Sequence, residues 1–333
     1  MPVSTFLANL LPWWRFPIAM ISVVAAVGLF VAIIATAALR GPWGKWALGP
    51  MAFVSATTMV VLAVDVMTGS RLQLSSLMGL QPVVGGRYYG MGNPTFALFA
   101  TATILLCTAV SSMLVLAGRQ KAAAVAVAMI GGAAVVVDAM PFWGADGGGP
   151  PALVPGLAYL ILAVLGLTMT WKRVLLLGLG VVALFFLVAG ADWLRPTASR
   201  SHLGQFVQAI LDGNAFDIVV RKAQQNYDLL LGNAPLTLLV PAALLFVIYM
   251  LARPTSWGSR AMQRSYDRAP TLRAGLIALL VTLTIGFLIN DSGVAIPAVG
   301  ATLAVPLIVS VSVSYLLEEA RATAQTRSAR RRR

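Results

Sequence analysis

The chain has 333 residues, of which 59% are hydrophobic and only 11% charged, and its mean hydropathy is +0.86. Soluble domains run at about 45–50% apolar and about 25% charged, so a water-soluble fold, a disordered chain and a disulfide-stapled secreted scaffold are excluded. One cysteine, Cys107, forbids an internal disulfide, one histidine, His202, gives no basis for a zinc enzyme, and the net charge of +13 takes its meaning from where the basic residues fall.

Residues 1–16 carry Trp13, Trp14 and Arg15 beside Leu7, Leu10 and Leu11, and read as an interfacial segment leading into the first span. Runs long enough to cross about 30 Å of hydrocarbon follow. They lie at 17–39, 47–67, 94–117, 122–142, 151–171, 174–194, 235–252, 273–290 and 294–316. This predicts an all-α, polytopic transmembrane bundle of about nine spans over residues 17–316, with an insertion at 195–234 and a basic tail at 317–333.

Short basic connections follow the first, third, fifth and seventh spans, at Arg40–Lys45, Arg119–Lys121, Lys172–Arg173 and 253–273, and the tail ends in Arg330 to Arg333. The positive-inside rule makes these cytoplasmic, with the C-terminus inside and the N-terminus outside. On that assignment the inner side carries 17 Lys/Arg against 3 acidic residues, and the outer side 7 against 8. The basic character is then a topology signal with attraction to anionic lipid of the inner leaflet, and nucleic acid is not an expected partner.

Four glycine-rich segments with rare polar residues interrupt the apolar pattern, and all four map to the outer side. They are Gly85 to Asn93 (GGRYYGMGN), Trp143 to Gly149 (WGADGGG), Arg200 to Phe206 (RSHLGQF) and Asn290 to Gly293 (NDSG). Such residues build turns, and they also build binding sites when convergent on one side of a bundle. Asn93-Pro94, Gly149-Pro150-Pro151 and Asp291 or Ser292 stand at the starts of spans running inward, so their exposed N–H groups and positive dipole ends are suited to an anion. Arg87 and Arg200 add charge, and Tyr88, Asn93, Asn290 and Ser292 add polar contacts, as substrate-binding candidates.

Carboxylates form the second set. Asp138, within the fourth predicted span, and Asp65, near the outer end of the second, are intramembrane acidic groups; a charge at the bilayer centre costs at least about 2.5–3.5 kcal/mol and calls for a partner. Asp192 stands at the outer end of the sixth. Asp146 and Asp291, beside glycines, are candidates for a general base or a divalent-cation ligand, and His202 would titrate near neutrality. No spacing is diagnostic of a metal, so a divalent cation is compatible with the chain and not required by it. After His202, Phe206, Ile210, Phe216, Val219, Val220, Tyr227 and Leu230 recur at helical spacing, which predicts two short amphipathic helices in the outer interface.

At Gly86 to Asn93, Gly144 to Gly148, Ser201 to Gly204 and Asn290 to Gly293 the chain resembles a family of uncharacterised multi-pass membrane proteins of actinobacteria and related Gram-positive bacteria. The resemblance runs in order over most of 55–300 and implies the multi-pass architecture, without transferring an activity. The residues point to a multi-pass cell-membrane protein whose outer-facing polar pocket recognises or processes an anionic, lipid-linked or cell-envelope substrate. As an enzyme it would use Asp146, Asp291 or His202; as a transporter, Asp138 and Asp65 would line a path with flexing at Gly131-Gly132 or Pro297; as a partner subunit, its loops would bind an envelope protein.

Overall fold

The computed structural model describes residues 2–80, 88–200, 202–232, 260–290, 293 and 295–331. Helices dominate, and the described residues contain no strand, only an isolated bridge between Leu74 and Leu80. In chain order the helices are α1 (Pro2–Leu7), α2 (Ala19–Arg40), α3 (Gly49–Met67), α4 (Asn93–Leu116), α5 (Gln120–Ala139), α6 (Gly149–Val164) and α7 (Trp171–Trp193). They continue with α8 (His202–Leu211), α9 (Ala215–Leu231), α10 (Arg260–Arg268), α11 (Leu272–Ile289) and α12 (Ala295–Arg331).

Seven of these are long and apolar enough to cross a membrane: α2, α3, α4, α5, α7, α11 and the Ala295–Glu318 part of α12. The run expected at 235–252 lies outside the described residues. Helix α6 is apolar but has only 16 residues, so it falls short of the run expected at 151–171. It ends where Gly166 enters the left-handed region at φ +70°. There the Leu167 N–H bonds to the Leu162 carbonyl at 2.8 Å and the Gly166 N–H to Ala163 at 3.0 Å, a double bond pattern that closes a helix on glycine. Helix α5 runs unbroken through Gly131-Gly132, and Pro297 stands in the first turn of α12.

Helix α4 is the axis of the bundle. Phe96, Phe99, Ile104 and Leu105 are fully buried in it, and it packs against α3, α5, α6, α11 and α12. Lipid tails are as apolar as leucine, so this burial is favoured by close packing and by polar contacts between helices more than by escape from water. Both means are visible. Gly275 of α11 leaves room for Thr108 of α4, and Gly156 of α6 leaves room for Thr282 of α11. Thr271, buried at the start of α11, donates to the Thr108 carbonyl at 2.9 Å and pairs with Ser112 Oγ at 3.0 Å and Ser111 Oγ at 3.1 Å.

The periphery is looser. Helix α7 packs on α6 and α8, and α2 on α1, α3 and the short turns flanking it. Val3, Ser4 and Phe6 of α1 are fully buried. Asn9 Nδ2 donates to the Leu72 carbonyl at 2.9 Å, and Ser76 Oγ to that of Thr5 at 3.0 Å, so the N-terminal segment is tied to the loop after α3. At the opposite end α10 packs on α12, where Arg268 pairs with Glu318 at 3.1 Å and lies over the Tyr315 ring.

Candidate functional site

The glycine-rich end of the bundle is joined by contacts between segments far apart in sequence. Asp65, at the end of α3, accepts from the backbone N–H groups of Leu72 at 2.7 Å and Gln73 at 3.1 Å and so fixes the following loop. Ser70 in that loop exchanges hydrogen bonds with Gly90: the Gly90 N–H donates to Ser70 Oγ at 3.0 Å, and Ser70 Oγ donates to the Gly90 carbonyl at 3.3 Å. Gln73, fully buried, accepts from Thr95 Oγ1 of α4 at 2.9 Å. The Met91 N–H then donates to the Gly144 carbonyl at 2.6 Å, which binds the 88–92 segment to the loop between α5 and α6.

That second loop folds back on the end of α5. The Gly144 N–H bonds to Val137, the Ala145 N–H to Met140 and the Asp146 N–H to Asp138, at 3.0, 3.0 and 3.1 Å, while Ala145 takes a left-handed φ of +49°. The return brings two carboxylates together at the N-terminus of α6. Asp146 Oδ1 accepts from the Gly148 N–H at 3.0 Å. A methyl group on Gly149, the first residue of α6, would collide with Asp138 Oδ2 and stand 2.8 Å from Asp146 Oδ2. The two oxygens are therefore within about 5 Å of each other, and Asp138 and Asp146 are 0% and 5% exposed. The positive end of a helix dipole and the Gly148 N–H stabilise negative charge there.

The end of α11 closes the same point. Asn290 is buried, donates from Nδ2 to the Gly286 carbonyl at 2.9 Å, and lies against Gly148, where an added methyl would stand 2.9 Å from the Asn290 Cγ. Asp138, Asp146, the Gly148–Gly149 backbone and Asn290 thus form one cluster from α5, its following loop, α6 and α11. Chemically, the pair can hold a cation, share a proton, or bridge through a cation to an anion. Gly148 and Gly149 are as much part of the site as the charged residues, and the Gly147–Gly149 run in the sequence is the signal that marks them.

The other candidates distribute differently. Arg87, Asp291 and Ser292 lie outside the described residues, although their neighbours Gly90 and Asn290 both reach the 144–148 loop. Tyr88 is 70% exposed. Asn93 is half-buried and opens α4, but the capping position is held by Gly92, one residue earlier than the dipeptide Asn93-Pro94 suggested. Arg200 is engaged elsewhere: its Nε donates to the Arg195 carbonyl at 3.0 Å, its Nη1 to Gln208 Oε1 at 3.3 Å, and its guanidinium lies over the Trp193 ring. His202 begins α8, which is held on α7 by Asp192, whose Oδ2 accepts from the Gly204 N–H at 2.9 Å and whose Oδ1 pairs with Arg195 at 2.9 Å. Among the described residues no group of three His, Cys, Asp or Glu is placed to hold a metal ion by itself.

Compared with known protein families, with curated proteins and with solved structures, the chain finds no match in any of the three.

Proposed function

We propose that this chain is an integral protein of the cell membrane that recognises or processes an anionic, lipid-linked cell-envelope substrate at the outward-facing site of Asp138, Asp146 and Asn290. The supporting observation is the convergence of three glycine-rich segments on the 144–149 stretch that leads into α6, with both carboxylates buried and adjacent. Nothing in ordinary helix capping needs two carboxylates on one N-terminus, since one accepts the free N–H groups adequately. The same pair alters how an anion would bind. Two carboxylates repel a bare phosphate, so in this reading a divalent cation bridges them to the substrate's anion, with Asn290 and the Gly148 region orienting the head group. We also propose that the chain is one of the multi-pass membrane proteins it resembles at these segments.

The test compares lipid extracts of cells lacking the gene and complemented with wild type, Asp146→Asn or Asp138→Asn, each checked for expression. A lipid-linked precursor that accumulates in the deletion, is cleared by wild type and persists with either variant supports the reading. Unchanged lipids with altered solute uptake would replace it with a transporter using Asp138. Unchanged lipids and uptake would leave a non-catalytic partner subunit.

A further inference from the structure

Beside the carboxylate pair a half-open cleft of about 200 Å³ runs between α5, α6 and α7. Its walls include Val135 of α5, Pro150 and Val154 of α6, and Val181, Phe185 and Val188 of α7. The α7 residues stand at i, i+4 and i+7, one face of that helix. Asp146 is the charged residue of the lining, and it is the residue that the cleft shares with the carboxylate site. A polar ligand inside would leave its groups without partners. Hydrocarbon meets no such cost. An apolar cavity of about 150 Å³ accepts a benzene-sized guest, so this volume has room for a chain segment of several carbons.

We propose that the cleft holds one acyl chain of a bilayer lipid whose head group lies beside Asp146. The inference rests on the substrate reading given above, and makes the substrate an acyl lipid. Three features select this occupant. The lining is hydrocarbon in character, with Asp146 its one charged residue, which matches an amphiphile. Helices α5 and α7, which flank it, are long and apolar enough to lie in a bilayer, where acyl chains are the surrounding medium. Asp146 borders both the cleft and the carboxylate cluster, so a chain in the cleft brings its head group close to that cluster. Phe206 of α8 packs edge-on to Phe185 at 6.1 Å between ring centres, which backs the α7 wall.

The experiment uses the full chain in nanodiscs of phosphatidylcholine containing rising fractions of phosphatidylglycerol with a diazirine in its acyl chain. After irradiation the crosslinked peptides are mapped. Labelling at Val154, Val181 and Phe185 should saturate at low probe fraction, while labelling at Leu176, 68% exposed on α7, should rise in proportion to the probe. Val181→Trp, or Val154→Trp if the first variant folds poorly, should lower cleft labelling about tenfold, the effect of excluding two methylenes, and leave Leu176 unchanged. Proportional labelling at every position overturns the proposal. Displacement of the probe by a polyprenyl phosphate at lower fractions than by unlabelled phosphatidylglycerol overturns the acyl occupant. Saturable cleft labelling with lipid profiles unaltered by Asp146→Asn keeps the cleft and removes the head-group reading, whereas altered profiles without saturable labelling remove the cleft alone.

Discussion

Replacing Gly149 by alanine tests whether two carboxylates really press on the first turn of α6. The backbone there is ordinary helix, so alanine meets no conformational penalty, and any loss comes from space. The new methyl would collide with Asp138 Oδ2 and stand 2.8 Å from Asp138 Cγ and from Asp146 Oδ2, and neither carboxylate has solvent to swing into. Overpacking of this kind costs about 1–3 kcal/mol. Gly132 is the internal control: it lies in the middle of α5 with nothing within 4 Å of an added methyl, and alanine there should gain about 0.5–1 kcal/mol from helix propensity. Thermal unfolding of the detergent-solubilised variants, followed by tryptophan fluorescence, should separate their Tm values by on the order of 5 °C, with Gly149→Ala the lower. Adding Asp138→Ala to Gly149→Ala removes the colliding oxygen and should reveal a favourable coupling of at least about 1 kcal/mol. A Gly149→Ala Tm equal to that of Gly132→Ala, or a coupling near zero, would refute the placement of Asp138 over the α6 N-terminus.

Orientation is tested with single cysteines at Ser201 and Ser259 in a Cys107→Ser background; an impermeant maleimide on intact cells should label Ser201→Cys and not Ser259→Cys, and the reverse would invert the proposed topology. Thr271→Val removes the hydroxyl shared by Thr108, Ser111 and Ser112, and at about 0.6–1.7 kcal/mol for a hydrogen bond between membrane helices it should lower the unfolding temperature measurably; an unchanged Tm would show that the hydroxyl cluster contributes no net stability. Asp192→Ala removes a charged acceptor of the Gly204 N–H, so hydrogen exchange of the α8 amides should speed up about tenfold or more, and unaltered protection would show that α8 is held by packing alone.

Much of the architecture was legible because the bilayer imposes a length. A helix needs about twenty apolar residues to cross hydrocarbon, and runs such as Ala19–Arg40 and Leu272–Ile289 meet that demand without reference to any other part of the chain. Where the reading of lengths slipped, the cause was local conformation. Hydropathy continues smoothly from Val164 into Leu165 and Leu167, but Gly166 turns left-handed and closes α6 early. Beyond the apolar part, which ends at Glu318, α12 continues as helix through Arg321 and Arg327 to Arg331, since charge alone does not end a helix.

The sequence by itself determined which residues prefer lipid, where the basic connections fall, and that glycine and rare polar residues collect in four segments. Each of these is a property of a residue or of its near neighbours. Tertiary structure alone decided which polar residues meet. Asp138 and Asp146 are eight positions apart, too far for one helical turn, and they come together because the intervening loop returns through a left-handed Ala145 that no propensity announces. Asn290 joins them from across the bundle because α11 packs on α6, and Arg200 stays away because Trp193 and Gln208 hold it on α7 and α8. The apolar cleft was invisible for a related reason. Its residues are ordinary lipid-facing valines and prolines in the sequence, and only the rotation of α7 about its axis, set by contact with α6 and α8, turns Val181, Phe185 and Val188 toward α6.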